Sequence, residues 1–230
     1  MNELALFTGA AGGVLGGQSL GWRVACAVEI DPYCRAILCQ RQDDGLLPPF
    51  PIWDDIRTFD GNSWRGIIDV VSGGFPCQAY STAAHGQNTA ECLWPEMLRV
   101  IGEVAPRYVI SENVSEDAII SAQADLEDCG YWTSRVALSA SDLGADHHRR
   151  RWWLFADTDH EGELGVSINA EVAVIKERCK VLWASDPRDT RVANGVAYRM
   201  DRYKAVGNGQ VPQAMALAWK LLSEDMEDTQ

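Results

Sequence analysis

Cysteine pairs, long apolar runs and positive charge are what this 230-residue chain has least of. Its seven cysteines (Cys26, Cys34, Cys39, Cys77, Cys92, Cys129 and Cys179) are odd in number and scattered, and no two stand in CxxC spacing. That excludes a zinc ribbon and a disulfide framework, and leaves most of them as reduced core residues, with room for one reactive thiol. No apolar run approaches the ~20 residues that a membrane-spanning helix needs. The start, "MNELALFTGAAGG", has no basic leader before the apolar pattern begins. No secretory signal and no membrane contact are therefore expected, and the cytoplasm is the expected compartment. Lys and Arg number 20 against 33 Asp and Glu, a net charge of −13. This argues against a nucleic-acid binder held chiefly by long-range attraction. A local basic face is still possible, because "HHRRR" (147–151) and Arg199, Arg202 and Lys204 are clustered while "SEDMED" near the C-terminus is acidic.

What is present reads as an ordinary globular chain, 47% hydrophobic and 23% charged. Its length suits one large domain, or one with a small insertion. No internal repeat or low-complexity tract is visible. Short β-like runs alternate with helical patterns over the first two-thirds, which predicts an α/β fold with a mainly parallel sheet. The strand candidates are 4–9, 24–29, 68–74, 107–113, 135–140 and 151–156. Leu93, Met97, Ile101 and Val104 recur at helical spacing, with Pro95 tolerable in a first turn. Val211, Met215, Ala218, Trp219 and Leu222 form a second helical stripe behind Pro212. After Ala156 the pattern changes: "DTDHEGELG" is acidic and turn-rich, and little periodicity follows beyond a short helix or strand at 170–182. The expected division is a main domain over 1–156, a variable segment over 157–202, and a return to the main domain over 203–230.

Several motifs carry chemistry. "FTGAAGG" follows the first strand, where glycines let the backbone turn and approach a ligand beside a helix N-terminus. By itself it is equally a structural turn. Glu29, about 20 residues beyond, ends the second strand where an α/β nucleotide site holds ribose hydroxyls. Alone it reads as a solvated helix-capping acid; with the glycine loop it reads as a ribose contact. Asp55 in "WDDIRTF" could accept from an adenine amino group or simply lie in a surface turn. "GGFPCQAYS" sets Cys77 at a strand mouth, and "ISENV" sets Glu112 and Asn113 at the end of another strand. Strand C-termini of an open parallel sheet share one edge, so Cys77 and Glu112 face one crevice, as a thiol nucleophile and an acid would. In "HHRRRWW", strand alternation places Arg149 and Arg151 on one face and Arg150 on the other, an arrangement that suits an anion or a carbonyl edge. Adjacent histidines point apart, which disfavours a metal site. Asp157, Asp159, His160 and Glu161 read as a solvated loop.

Taken in order, these motifs resemble the DNA (cytosine-5) methyltransferases of the small bacterial and phage type, from Leu4 to about Leu222. "FTGAAGG", "EID" and "DDI" are similar to the first three family motifs. "GGFPCQAYS" is similar to the Pro-Cys loop, "ENV" to the Glu-Asn-Val motif, "HHRRR" to the Gln-x-Arg-x-Arg motif, and "YKAVGNGQVP" to the closing Gly-Asn motif. FPCQ, ENV and GNG in this order are together highly specific. The chain departs at Ala11, where the family usually has glycine, or else by one inserted residue, and at His147, which replaces the usual glutamine. An Arg-Leu-Thr motif is missing, and the target-recognition segment is short. These departures bear on sequence selectivity more than on catalysis.

The resemblance implies a Rossmann-like fold, S-adenosyl-L-methionine as cofactor, no metal, double-stranded DNA as substrate and, as a further partner, a cognate restriction endonuclease encoded elsewhere. Cys77 would add to C6 of cytosine and Glu112 would hold N3. Arg151 would approach the base carbonyl and Arg149 would organise the cysteine loop. For the cofactor, Phe7 would stack near the adenine and the Gly9–Gly12 backbone would lie under the methionine part. Glu29 would hold the ribose, Ile30 and Ile56 would sandwich the purine, and Asp55 would take its amino group. Pro76, Leu93 and Asn208 would line the rest. The alternatives are an RNA (transfer RNA) cytosine-5 methyltransferase on the same scaffold and a catalytically silent, cofactor-binding DNA module.

Overall fold

The computed structural model describes residues 1–77, 92–144, 148–160 and 209–224. Seven strands form one sheet: β1 (Asn2–Leu6), β2 (Arg23–Val28), β3 (Ile52–Trp53), β4 (Val70–Gly74), β5 (Tyr108–Asn113), β6 (Trp132–Ser139) and β7 (Arg150–Asp157). Their order across the sheet is β3-β2-β1-β4-β5-β7-β6. The pairs among β1 to β5 are parallel, whereas β7 runs antiparallel to both β5 and β6. The mainly parallel, Rossmann-like α/β fold expected from the sequence is the one observed, and five parallel strand ends meet along one edge. β3 escaped the sequence reading because two residues are too few to show alternation.

Alternation along the strands assigns the two faces, with a register shift opposite Glu3/Leu4 that lets Val24 and Ala27 of β2 share one. Leu4, Leu6, Cys26, Val28, Val71, Val109, Leu154 and Ala156 share a core with Met97 and Ile101 of α3 (Trp94–Val104) and Ile119 of α4 (Glu116–Asp128). On the other face, Ala5, Val24 and Ala27 pack with Val14 of α1 (Gly12–Ser19) and Leu38 of α2 (Pro32–Asp43). Further along that face, Val70, Ile110, Trp153 and Phe155 pack with Met215, Ala218 and Leu222 of α5 (Pro212–Glu224). Both helical stripes read from the sequence are therefore core stripes. α5 sits close to α1 because Gly16 has no side chain: a Cβ there would lie 2.8 Å from the Pro212 carbonyl oxygen. This contact returns the end of the chain to the glycine loop.

One expectation needs correction. Asp157 does not belong to a solvated acidic loop. It ends β7, is fully buried, and lies 3.2 Å from Nε of Arg107, whose Nη1 also meets Asp159 at 3.2 Å. A buried carboxylate needs such a partner, because desolvation without one is costly. The division after residue 156 thus falls inside a strand. Most of 157–202, including the element read at 170–182, lies outside the described residues.

Candidate active site

The glycine loop is a strained turn held by side chains. Phe7 (φ 51°), Gly9 (φ 56°) and Ala11 (φ 73°) all adopt left-handed backbone. For the two non-glycine residues this costs roughly 1 kcal/mol each, which is the physical reason glycine suits position 11 and alanine is tolerated there. The strain is offset by fixed hydrogen bonds. Thr8 Oγ1 donates to the Ala5 carbonyl at 2.9 Å, and Arg41 of α2 donates to the Ala10 carbonyl at 2.6 Å. Glu29, just past β2, accepts the Gly9 amide at 2.6 Å and the Asp31 amide at 2.8 Å. Its residue exposure is only 7%. Burial pushes its carboxyl above the ordinary range, and the two amides oppose that rise. Glu29 is not a solvated cap: Asp31 caps α2 instead, accepting from the amides of Tyr33 and Cys34.

Around this carboxylate the expected cofactor residues divide. Ile30 stands open at 52% exposure, whereas Ile56 is buried at 4% and packs with Val28 and Phe59 in the core. The two isoleucines therefore do not form a matched pair of open faces. Asp55 lies near the surface, caps a short 3-10 turn over Ile56–Thr58, and pairs with Nε of Arg57 at 3.0 Å. Phe7 packs against the α3 side of the core. Pro76 and Leu93 are adjacent, with the Leu93 amide donating to the Pro76 carbonyl at 3.0 Å. Asn208 lies outside the described residues. Gly12 has a packing reason of its own, since a Cβ there would overlap the carbonyl oxygen of Gln210.

The second half of the crevice is a charge cluster. Glu112 is paired in register with Gly74, the last residue of β4. A side chain on Gly74 would meet its Oε2 at 2.7 Å. Across β7, Nε of Arg151 lies 2.7 Å from Oε1 of Glu112. Glu112 is 6% exposed, and burial drives its carboxyl above the ordinary range against the pull of Arg151, Arg149 and the Gln210 amide. Arg149 and Arg151 both act on this carboxylate, while Arg150 lies over the Trp152 ring at 5.1 Å, so the alternation read from the sequence holds. Arg149 donates to the Gly209 carbonyl at 2.6 Å, which ties it to the closing Gly-Asn stretch. Its expected partner, the rest of the cysteine loop (78–91), lies outside the described residues. Cys77 itself is buried at the mouth of β4. The Asn113 side-chain amide donates to the Phe75 carbonyl at 2.9 Å, so the Glu-Asn pair that carries the acid also fixes the stretch that carries the thiol.

Sequence reasoning missed two contributors. Arg41 has no motif around it, and its link to Ala10 joins residues 31 positions apart. Gln210 was quoted in the closing motif without a role. Its position between three glycines could not be read without the fold.

A Rossmann-like sheet with a glycine loop, a buried carboxylate after β2 and a second carboxylate paired with arginine near the end of β5 is the α/β class to which the methyltransferases belong. A sequence model of the C-5 cytosine-specific DNA methylase family matches residues 1–182, and the chain belongs to that family. It is 26% identical over 239 residues to the type II methyltransferase M.CviJI of Paramecium bursaria Chlorella virus IL3A, covering 98% of this chain and 60% of that protein. Other curated relatives are matched over smaller shares of their own length, such as 26% of M.Eco47II of Escherichia coli. Among solved structures, the Dnmt2 methyltransferase of S. pombe aligns with TM-score 0.57 and 20% identity, covering 72% of this chain and 53% of that one. That likeness concerns the fold.

Proposed function

We propose that the chain is a DNA (cytosine-5-)-methyltransferase, transferring a methyl group from S-adenosylmethionine to C5 of a cytosine flipped out of duplex DNA. The observation that carries this reading is the Glu112 carboxyl, buried against Arg151 at 2.7 Å, on the same sheet edge as Cys77. Acid and thiol are both intact, which disfavours a silent binding module.

Cytosine C5 is a poor nucleophile in an aromatic, electron-poor ring. Addition of the Cys77 thiolate at C6 breaks the aromaticity and leaves an enamine whose C5 can accept a methyl group. Glu112 holds N3 and neutralises the charge that develops there. Arg151, already on Glu112, would also approach the base carbonyl, and Arg149 would organise the cysteine loop. Loss of the C5 proton and elimination of Cys77 then release 5-methylcytosine. Reaching C6 requires base flipping, at about a few kcal/mol in unstacking and unpairing.

The residues present fit the cofactor. Glu29 uses one lone pair on each oxygen for a backbone amide and keeps others for ribose hydroxyls. Ile30, Phe7, Asp55, Pro76, Leu93 and Asn208 would surround the purine and the remainder. S-adenosylmethionine supplies an electrophilic methyl group. The segment 157–202 would serve as a small target reader, with Arg188, Arg191, Arg199 and Arg202 engaging phosphates rather than base edges. The target is then short or relaxed, about two or three base pairs, and methylation would protect DNA from a cognate endonuclease, as the type II names of the relatives suggest.

The test is Cys77→Ser. Tritium transfer to duplex DNA should vanish while S-adenosylmethionine binding persists, and the covalent adduct with 5-fluorocytosine DNA should form only in the wild type. Substantial remaining activity would overturn the mechanism. Preferential labelling of transfer RNA would shift the substrate class.

A further inference from the structure

Gln210 occupies a slot made by absent side chains. A Cβ on Gly12 would overlap its carbonyl oxygen, and one on Gly13 would overlap its side-chain Oε1. On the opposite side, a Cβ on Gly74 would lie 3.2 Å from its Nε2 and 2.7 Å from Oε2 of Glu112. The Gln210 amide hydrogen-bonds the Glu112 carboxylate. One side chain thus reaches from the first turn of α1 to the buried acid of β5.

The chemistry of an amide fixes which way it faces. The first turn of a helix presents N–H groups without intrahelical partners and the positive end of the helix dipole, so it favours an oxygen. A carboxylate accepts and cannot donate, so it favours the NH2 group. The reverse orientation would set oxygen against oxygen on one side and N–H against N–H on the other. Gln210 is therefore held in one orientation by both neighbours. On its other oxygen, Glu112 is drawn by Nε of Arg151 at 2.7 Å, with Arg149 also acting on it. Without an opposing donor the carboxylate would be held from the β7 side alone.

We propose that Gln210 is a positioning residue for Glu112: its amide holds the carboxyl against the pull of β7 and ties that placement to the first turn of α1, the segment beside which the cofactor binds. This rests on the reading of Glu112 as the acid that meets the base.

The experiment compares the wild type with Gln210→Leu, which keeps the bulk but removes the amide, and with Gln210→Glu, which keeps the shape but sets a second carboxyl beside the first. Single-turnover methyl transfer is followed across pH, with S-adenosylmethionine affinity measured by calorimetry. In Gln210→Leu the rate should fall about tenfold or more with cofactor affinity unchanged within about threefold. The alkaline limb of its pH profile should move up, because a donor to the ionised form is gone. In Gln210→Glu the limb should move up further, because like charges resist ionisation together. An unmoved limb in both variants overturns the proposal. So does a rate loss matched by an equal loss of cofactor affinity, since that would make Gln210 a prop for α1 alone. The wild-type 5-fluorocytosine adduct separates the two levels: if it fails to form, the reading of the site falls, and if it forms while the variants behave as wild type, only Gln210 does.

Discussion

Two buried carboxylates stand at the strand ends of the sheet, and they are stabilised in different ways. Glu29 and Glu112 both follow or end parallel strands, both are nearly excluded from water, and burial pushes both above the ordinary carboxyl range. At Glu29 the opposing partners are chiefly the peptide N–H groups of Asp31 and Gly9, with Arg35 adding a smaller pull. At Glu112 they are the guanidinium groups of Arg151 and Arg149 and a side-chain amide. Peptide dipoles neither titrate nor leave, so the Glu29 end is a fixed frame. Guanidinium groups carry their own desolvation cost, and burial together with Arg151 holds Arg149 below its usual value. The Glu112 end is therefore a balance of charges, which on the proposed function an incoming base would tip.

The largest effect should come from breaking that balance. Arg151→Leu leaves Glu112 buried with less opposing charge, which should abolish methyl transfer and destabilise the fold by about 3 kcal/mol at pH 8. The sign with pH follows from linkage. A carboxyl whose folded pKa is raised holds its proton in the native state longer than in the unfolded state, so stability falls as pH rises through that window. The variant raises the folded value further, so its deficit should be larger at pH 8 than at pH 5. Urea unfolding at both pH values checks this, and an equal deficit at both would mean Glu112 is not the group left unpaired.

The fixed frame should respond more mildly. Glu29→Ala should weaken S-adenosylmethionine binding by about 1.5–3 kcal/mol, the size of a lost hydrogen bond to a charged group. Some stability should also be lost, because the Gly9 and Asp31 amides lose their acceptor. Calorimetry reads the first and thermal unfolding the second. Unchanged affinity with lowered stability would make Glu29 a brace for the loop and nothing more.

How far each end was legible in the sequence follows from the same contrast. Glu29, Cys77, Glu112, Arg149 and Arg151 sit in short runs whose residue types announce them, and strand alternation alone placed the two arginines together. Arg41 and Gln210 act across 31 positions and across three glycines, a proximity that only the packing of α2 and α5 creates. The resemblance pairs Ile56 with Ile30 about the purine, and the burial of Ile56 behind the 3-10 turn that Asp55 caps is a feature its short motif does not show. Asp157 was read as solvated because acids cluster around it, while its distant partner Arg107 was invisible. Local chemistry was legible, and long-range pairing was not.

A third buried carboxylate sharpens the comparison with the smallest expected effect. Glu3, near the start of β1 and fully buried, is bonded to no backbone amide and paired with no arginine among the described residues. Ser72 Oγ donates to its Oε1 at 2.5 Å, and among the described residues its Oε2 has no hydrogen-bond partner. Burial pushes it to about 7 from 4.5. Because the folded value is the higher one, wild-type stability should decline as pH rises between those two values. Glu3→Gln removes the titration and should flatten that part of the profile. The gain above neutral pH should be modest, on the order of 1 kcal/mol, because the new amide N–H groups would lack an acceptor where Oε2 now lies. Glu3 is in neither the cofactor nor the catalytic group of the proposed function, so transfer activity at a permissive temperature should not change. Unfolding midpoints at pH 5 and pH 8 give the test: a variant whose midpoint still drops as much as the wild type's would show that the pH dependence resides in Glu29 and Glu112 instead.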